Sequence, residues 1–197
     1  MADRRPGRNG PRRLGGEGEP QVFAADEQNE AQVDLARWSA LALAVLRTEG
    51  VRGAAELNLL FVDRETIAEM NEVHLGHSGP TDVLSFPIDA PDLELESGPG
   101  SITRGPSRPP LDPDDAPLIL GDVVVCPAVA IEQAPDHAGT PDDELALLVV
   151  HGVLHVLGHD HAEPDETAVM RGRELSLLEE HHWHGPAPAA FRHEPAS

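Results

Sequence analysis

The chain has 197 residues, with 14 basic residues that are all Arg, 35 acidic residues and a formal net charge of -21. That length holds one domain with tails, or at most two small ones, and buries a core without staples. The single cysteine, Cys126, excludes an internal disulfide framework; no apolar run reaches membrane-spanning length, and no apolar h-region follows the Arg-rich start. The expectation is a cytoplasmic protein without a membrane partner, whose acidity repels nucleic acid at long range unless salt screens it.

Residues 1–30 are rich in Gly, Pro, Arg and Glu without periodicity, which predicts a disordered arm. Its Arg residues at 4–13 either tether RNA or belong to an unstructured leader. From Ala31 to Thr48, Val33, Leu35, Trp38, Leu41, Ala42 and Val45 recur at helical spacing, and Gly50 marks a stop. Glu56 to Asp63 reads as a strand, and Arg64 to Val73 as a helix capped by Asp63. A Gly-rich loop over 74–80 leads to a strand over 82–88. Val83, Ser85 and Pro87 share one face of it, and Pro87 places it at a sheet edge. The Pro-, Gly- and Asp-rich stretch 89–117 is a disordered insertion or a functional flap. Leu118 to Cys126 is a more buried strand, and Pro127 to Gln133 a short helix.

Thr140-Pro-Asp-Asp-Glu144 has the cap, the proline and the first-turn acids of a helix start. The residues that follow are apolar on nearly every face, which predicts the central buried helix, ended by Gly158. A last helix runs from about Pro164 to Glu180. The tail 181–197 reads as flexible. His181, His182 and His184 in it either chelate metal adventitiously or are simply solvated.

The central helix carries His151-Gly-Val-Leu-His155, followed by Gly158-His159-Asp160-His161. Residues four apart lie on one helical face, so His151 and His155 offer two imidazole nitrogens to one ion. Gly158 permits the chain to reverse, and His161 returns as a third ligand. Three nitrogens leave one tetrahedral position for water, the pattern of a catalytic Zn2+ site with one ion per chain. The spacing is that of metzincin peptidases, but the position of their general-base Glu is Gly152 here, so a peptidase loses its base. The catalytic group would then be zinc-bound water, with Ser85 and Asp122 as weak candidates beside it. Ser85 either hydrogen-bonds substrate or is a plain strand residue. Asp122 either orients a ligand histidine or fixes a turn. Thr81 and Asp82 fix a local turn. Asp160 caps the reversal or accepts from an imidazole, and His159 packs beside the site. Cys126 reads as a small buried residue rather than a nucleophile. Trp38 and Trp183 are too scattered for base stacking.

His151-Gly-Val-Leu-His-Val-Leu-Gly-His-Asp-His161, Pro80-Thr-Asp-Val-Leu-Ser-Phe-Pro87 and Leu120-Gly-Asp-Val-Val-Val125 together resemble the YbeY family of endoribonucleases and ribosomal-RNA maturation factors. The resemblance covers roughly residues 30–180, which delimits the domain as 31–180. It implies an α+β fold, zincin-like, in which a small mixed β-sheet packs on a central metal-binding helix, as a single domain with disordered tails. It implies zinc on His151, His155 and His161. It further implies single-strand-specific cleavage in small-subunit rRNA 3′-end maturation and ribosome quality control, with single-stranded RNA, the small subunit and its assembly factors as partners. A non-catalytic assembly factor with structural zinc, and a zinc peptidase, are the competing functions. One departure stands out: Leu75 occupies the place where family members carry an RNA-contacting Arg.

Overall fold

The computed structural model describes residues 10–16, 18–88, 117–159 and 164–193, without the side chains of 164 and 165. The predicted insertion 89–117 therefore lies outside the described residues except for residue 117, and Asp160 and His161 lie outside them entirely. In chain order the elements are β1 (Arg12–Leu14), β2 (Pro20–Asp26), α1 (Leu35–Thr48), β3 (Ala55–Phe61), α2 (Arg64–Leu75), β4 (Val83–Pro87), β5 (Leu118–Val125), α3 (Pro127–Gln133), α4 (Pro141–Val156) and α5 (Pro164–His181).

The strands form one mixed sheet in the order β1-β2-β3-β5-β4. β2, β3 and β5 run parallel, while β1 and β4 are antiparallel edges. The edge position of β4 is the one Pro87 demands, since proline donates nothing to a ladder. Alternation along β3 sends Ala55, Leu57, Leu59 and Phe61 into the larger core. That core lies between one sheet face and α1, α4 and α5. A smaller cluster of Val62, Ile67, Leu84, Val124 and Cys126 fills the opposite face under α2 and the start of α3.

β5 carries a bulge. Glu56 pairs with Ile119 and Leu57 with Gly121, which leaves Leu120 as the extra residue. Gly121 sits at φ 149, where an added β-carbon would lie 2.3 Å from the carbonyl oxygen of Phe86, so only glycine lets β4 approach. After the bulge Val123 and Val125 face the larger core, and Asp122 points to the other face.

The helix ends follow local chemistry. Asp34, Asp63 and Thr140 cap α1, α2 and α4, accepting from backbone N–H groups of Arg37, Thr66 and Asp143 at 3.1, 2.9 and 3.1 Å. At the far end of α4 the His159 N–H bonds Leu154 O at 3.0 Å and the Gly158 N–H bonds His155 O at 2.9 Å, with Gly158 at φ 88. This paired closure satisfies carbonyls that the helix would otherwise leave open.

Two expectations are corrected. The disordered arm over 1–30 gives way to β1 and β2 among its described residues. β2 pairs with β3 along its full length, and Val22 and Ala24 are buried. The Ala-Ala pair and the Gly/Pro-rich context hide this strand in the sequence, because its stability comes from a parallel partner and not from β-propensity. The tail is docked rather than flexible as far as it is described. Trp183 Nε1 donates to Asp143 at 2.6 Å, and the Trp183 ring meets Phe191 edge-on at 4.8 Å. His181 Nε2 lies 2.8 Å from Thr48 Oγ1, His182 Nε2 lies 2.9 Å from Asp143 Oδ1, and His184 Nδ1 donates to Glu180 O at 2.9 Å. These histidines make contacts within the fold and so are more than a solvated tail.

Candidate functional site

α4 is buried from Asp143 to Val156 except at two residues, His151 and His155, which keep partial exposure. From Leu145 to Val156 the helix is thus apolar and buried except at these two rings. Four residues apart, they stack one turn above the other with ring centroids 4.5 Å apart and nearly perpendicular planes. His151 Nδ1 lies 2.7 Å from Oε1 of Glu174 on α5. Burial pushes the Glu174 carboxyl up, but the contacts with His151 and His193 prevail and hold it down at about 2. An ionised carboxylate only accepts, so Nδ1 of His151 donates to it, and in the tautomer this selects Nε2 carries the lone pair. That is the form in which a histidine ligates a cation.

Glu174 could have been found in the sequence. Met170, Glu174, Leu177 and Leu178 form one helical stripe of α5, and all four are buried. A carboxylate in an apolar stripe needs a partner. What it pairs with depends on how α5 crosses α4, which spacing alone does not encode.

A second buried carboxylate braces the turn after α4. Glu49, just past α1, receives Arg173 Nε at 2.5 Å, and His159 Nε2 lies 3.4 Å from its other oxygen. Burial raises the Glu49 pKa, but His159 and Arg173 outweigh it and leave the carboxyl lowered. His159 therefore packs beside the site as expected, with a specific partner.

Gly152, the residue after His151, faces the sheet. A β-carbon there would fall 2.5 Å from Val123 Cγ1 and 3.3 Å from Ser85 Oγ. Helix and sheet touch at this point, and there is no room for the glutamate that a metzincin carries. The same distances place Ser85 next to the turn that bears His151. Ser85 also pairs with Val123 across the ladder, so both face α4. Asp122, its neighbour in sequence, does not. It accepts from Asn58 Nδ2 at 2.7 Å on the opposite face. The role of orienting a histidine, open for Asp122 in the sequence, belongs geometrically to Glu174. Asp82 accepts from the backbone of Val83 at 2.8 Å and from Thr81 at 3.1 Å, the local turn expected of it. It also accepts from Gln133 at 2.6 Å. Leu75 is exposed at the end of α2, and Cys126 is fully buried.

The donor set fits zinc as far as it is described: two imidazoles on one helical face, one with its tautomer fixed by a buried carboxylate. Among the described residues no three His, Cys, Asp or Glu side chains form a metal-holding group. His161, the third expected ligand, lies outside them. Among the described residues no helix is long and apolar enough to cross a membrane.

The family model described as Endoribonuclease YbeY matches residues 23–182. The Endoribonuclease YbeY of Mycolicibacterium gilvum (strain PYR-GCK) is 42% identical over 160 residues, covering 80% of this chain and 83% of that protein. The Endoribonuclease YbeY of Salinispora tropica is 43% identical over 152 residues, covering 76% and 90%. Among solved structures, the solution structure of TM1509 from Thermotoga maritima matches with a TM-score of 0.53 at 23% identity, over 83% of this chain and 90% of that one, a likeness of fold. With the family model spanning most of the chain and relatives this similar, the chain belongs to the YbeY endoribonuclease family.

Proposed function

We propose that this chain is a zinc-dependent endoribonuclease that cuts single-stranded RNA, acting in maturation of the small-subunit rRNA 3′ end and in ribosome quality control. His151, His155 and His161 would hold one zinc ion per chain. The observation that carries the reading is the partly exposed His151–His155 pair on the buried stretch of α4 from Asp143 to Val156, with His151 fixed by Glu174. Family membership supplies the reaction class, hydrolysis of a phosphodiester.

Zinc in this position supplies Lewis-acid charge to the phosphodiester and acidifies water beside it. The chain's own residues do the rest. Glu174 orients the His151 ring. Edge strand β4 packs beside α4, and Ser85, facing α4, would hydrogen-bond the substrate there. Screening by salt shortens the reach of the repulsion between RNA and this acidic surface, so the site acts at short range.

The structure speaks against the peptidase alternative, because the close contact of Gly152 with Val123 leaves no place for a general-base glutamate. The second reading, an assembly factor with structural zinc and no turnover, is favoured by exposed Leu75 at the family's Arg position and by the net charge of -21. RNA cleavage decides between them. Zinc-loaded protein is incubated with single-stranded ribosomal RNA beside His155→Ala. Cleavage by wild type that the variant lacks supports the nuclease. Equal cleavage by both, or none by either, rejects it, and co-sedimentation with ribosomal particles without turnover supports the assembly factor.

A further inference from the structure

We propose that Glu174 is the positioning residue of the histidine site, and that His193, from the segment after α5, holds the second oxygen of Glu174 and so ties the C-terminal segment to the metal. The proposal rests on the zinc reading above and adds two residues to it.

Glu174 divides its oxygens between two rings. Oε1 lies 2.7 Å from Nδ1 of His151, and Oε2 lies 2.9 Å from Nε2 of His193. The second contact has the distance of an ion pair but not the angle of a hydrogen bond, and His193 Nε2 is buried with no other polar partner among the described residues. It is thus a buried polar atom within ion-pair distance of one carboxylate. The Glu174 side chain is only 4% exposed, so it lacks the water that would otherwise compete for both oxygens.

The route by which His193 arrives is built from packing. Trp183 is anchored on Asp143, Phe191 meets Trp183 edge-on, and His193 meets Phe191 edge-on with centroids 5.2 Å apart. Arg192 N–H bonds the carbonyl of His137 at 3.1 Å, which fixes the backbone one residue before. The span matched to the family ends at 182, so this brace comes from sequence beyond it. A buried carboxylate with one imidazole on it can rotate about its terminal torsion. A second imidazole on the other oxygen removes that freedom and with it a source of disorder in the His151 ring.

The test uses the full-length chain and zinc itself. Zinc affinity is measured by competition with a chromophoric chelator, and the visible spectrum of the cobalt(II)-substituted protein reports ligand geometry. Glu174→Gln is expected to weaken zinc binding about 10–100-fold, and His193→Ala by a smaller factor, both with altered cobalt bands. His193→Gln, whose amide can donate to Glu174, restores most of the affinity. A Glu174→Gln protein with wild-type affinity and an unchanged cobalt spectrum overturns the role of Glu174. Wild-type values for His193→Ala overturn the role of His193. If Glu174→Gln does not fold, as judged by circular dichroism, His193→Ala decides alone: weakened zinc supports the brace and unchanged zinc overturns it. Failure of wild type itself to bind zinc removes the metal reading. Loss of zinc in His155→Ala with none in Glu174→Gln removes only the positioning proposal.

Discussion

Gly152 and Val123 are in contact across the helix–sheet interface so closely that a methyl group on Gly152 would penetrate the valine, at 2.5 Å from Cγ1. Both residues are fully inside the core region, so neither side can move into solvent. Gly152→Ala is expected to destabilise the fold by about 1–3 kcal/mol, the range for overpacked cores, even though alanine is the better helix former. Pairing it with Val123→Ala should recover part of the loss, because the two changes act on one contact. Urea unfolding of both variants checks this. Equal stability of Gly152→Ala and wild type would show that helix and sheet separate freely.

Asp143 ties the start of α4 to the C-terminal segment. Burial raises its pKa, but hydrogen bonds from Thr140 and Trp183 and the contact with His182 outweigh that and hold it below the ordinary 3.8. The folded value is depressed, so the stabilisation is complete above the unfolded value and is lost as pH falls through the folded one. Wild type should therefore lose stability in acid below 3.8 more steeply than Asp143→Asn. Denaturant midpoints measured from pH 6 down to the acid limb, with Trp fluorescence as probe, test the difference. Parallel curves for the two proteins would remove Asp143 as a source of acid sensitivity.

Cys126 sits between β5 and α3 with no exposed surface. Burial pushes its thiol up, against weaker opposition from the backbone of Val129 and Ala128. A thiol both covered and protonated should react with a disulfide reagent only when the protein opens. Modification at pH 8 is expected to be slow in buffer and rapid in urea. Fast reaction in buffer would mean that α3 detaches readily from the sheet.

The Glu49–Arg173 pair joins the end of α1 to α5 beside His159. Glu49 is 2% exposed, so removing the Arg173 guanidinium leaves a buried carboxylate with, among the described residues, the longer contact to His159. Arg173→Met is expected to cost about 3 kcal/mol, the lower end for breaking a buried pair, since the arginine retains some exposure. Glu49→Gln combined with Arg173→Met should recover much of that. Thermal unfolding of the three proteins provides the check, and additive losses in the double variant would contradict a coupled pair.

Local chemistry was legible in the residues alone. The Asp63 and Thr140 caps, the Gly158 reversal, the edge position of β4 and the helical face shared by His151 and His155 all follow from rules that reach no further than a few residues. The family resemblance carried by the histidine motif and the two strand blocks came from the same short segments. Tertiary structure decided the remainder, because it depends on which elements meet. β2 is a strand because β3 lies beside it, and Asp122 faces away from the histidines because of the bulge at Leu120. Glu174 finds His151, and His193 finds Glu174, because α5 crosses α4 and the segment after α5 folds back over both. Periodicity and capping record what each stretch of chain prefers by itself; the angle at which two helices pack is a property of the pair.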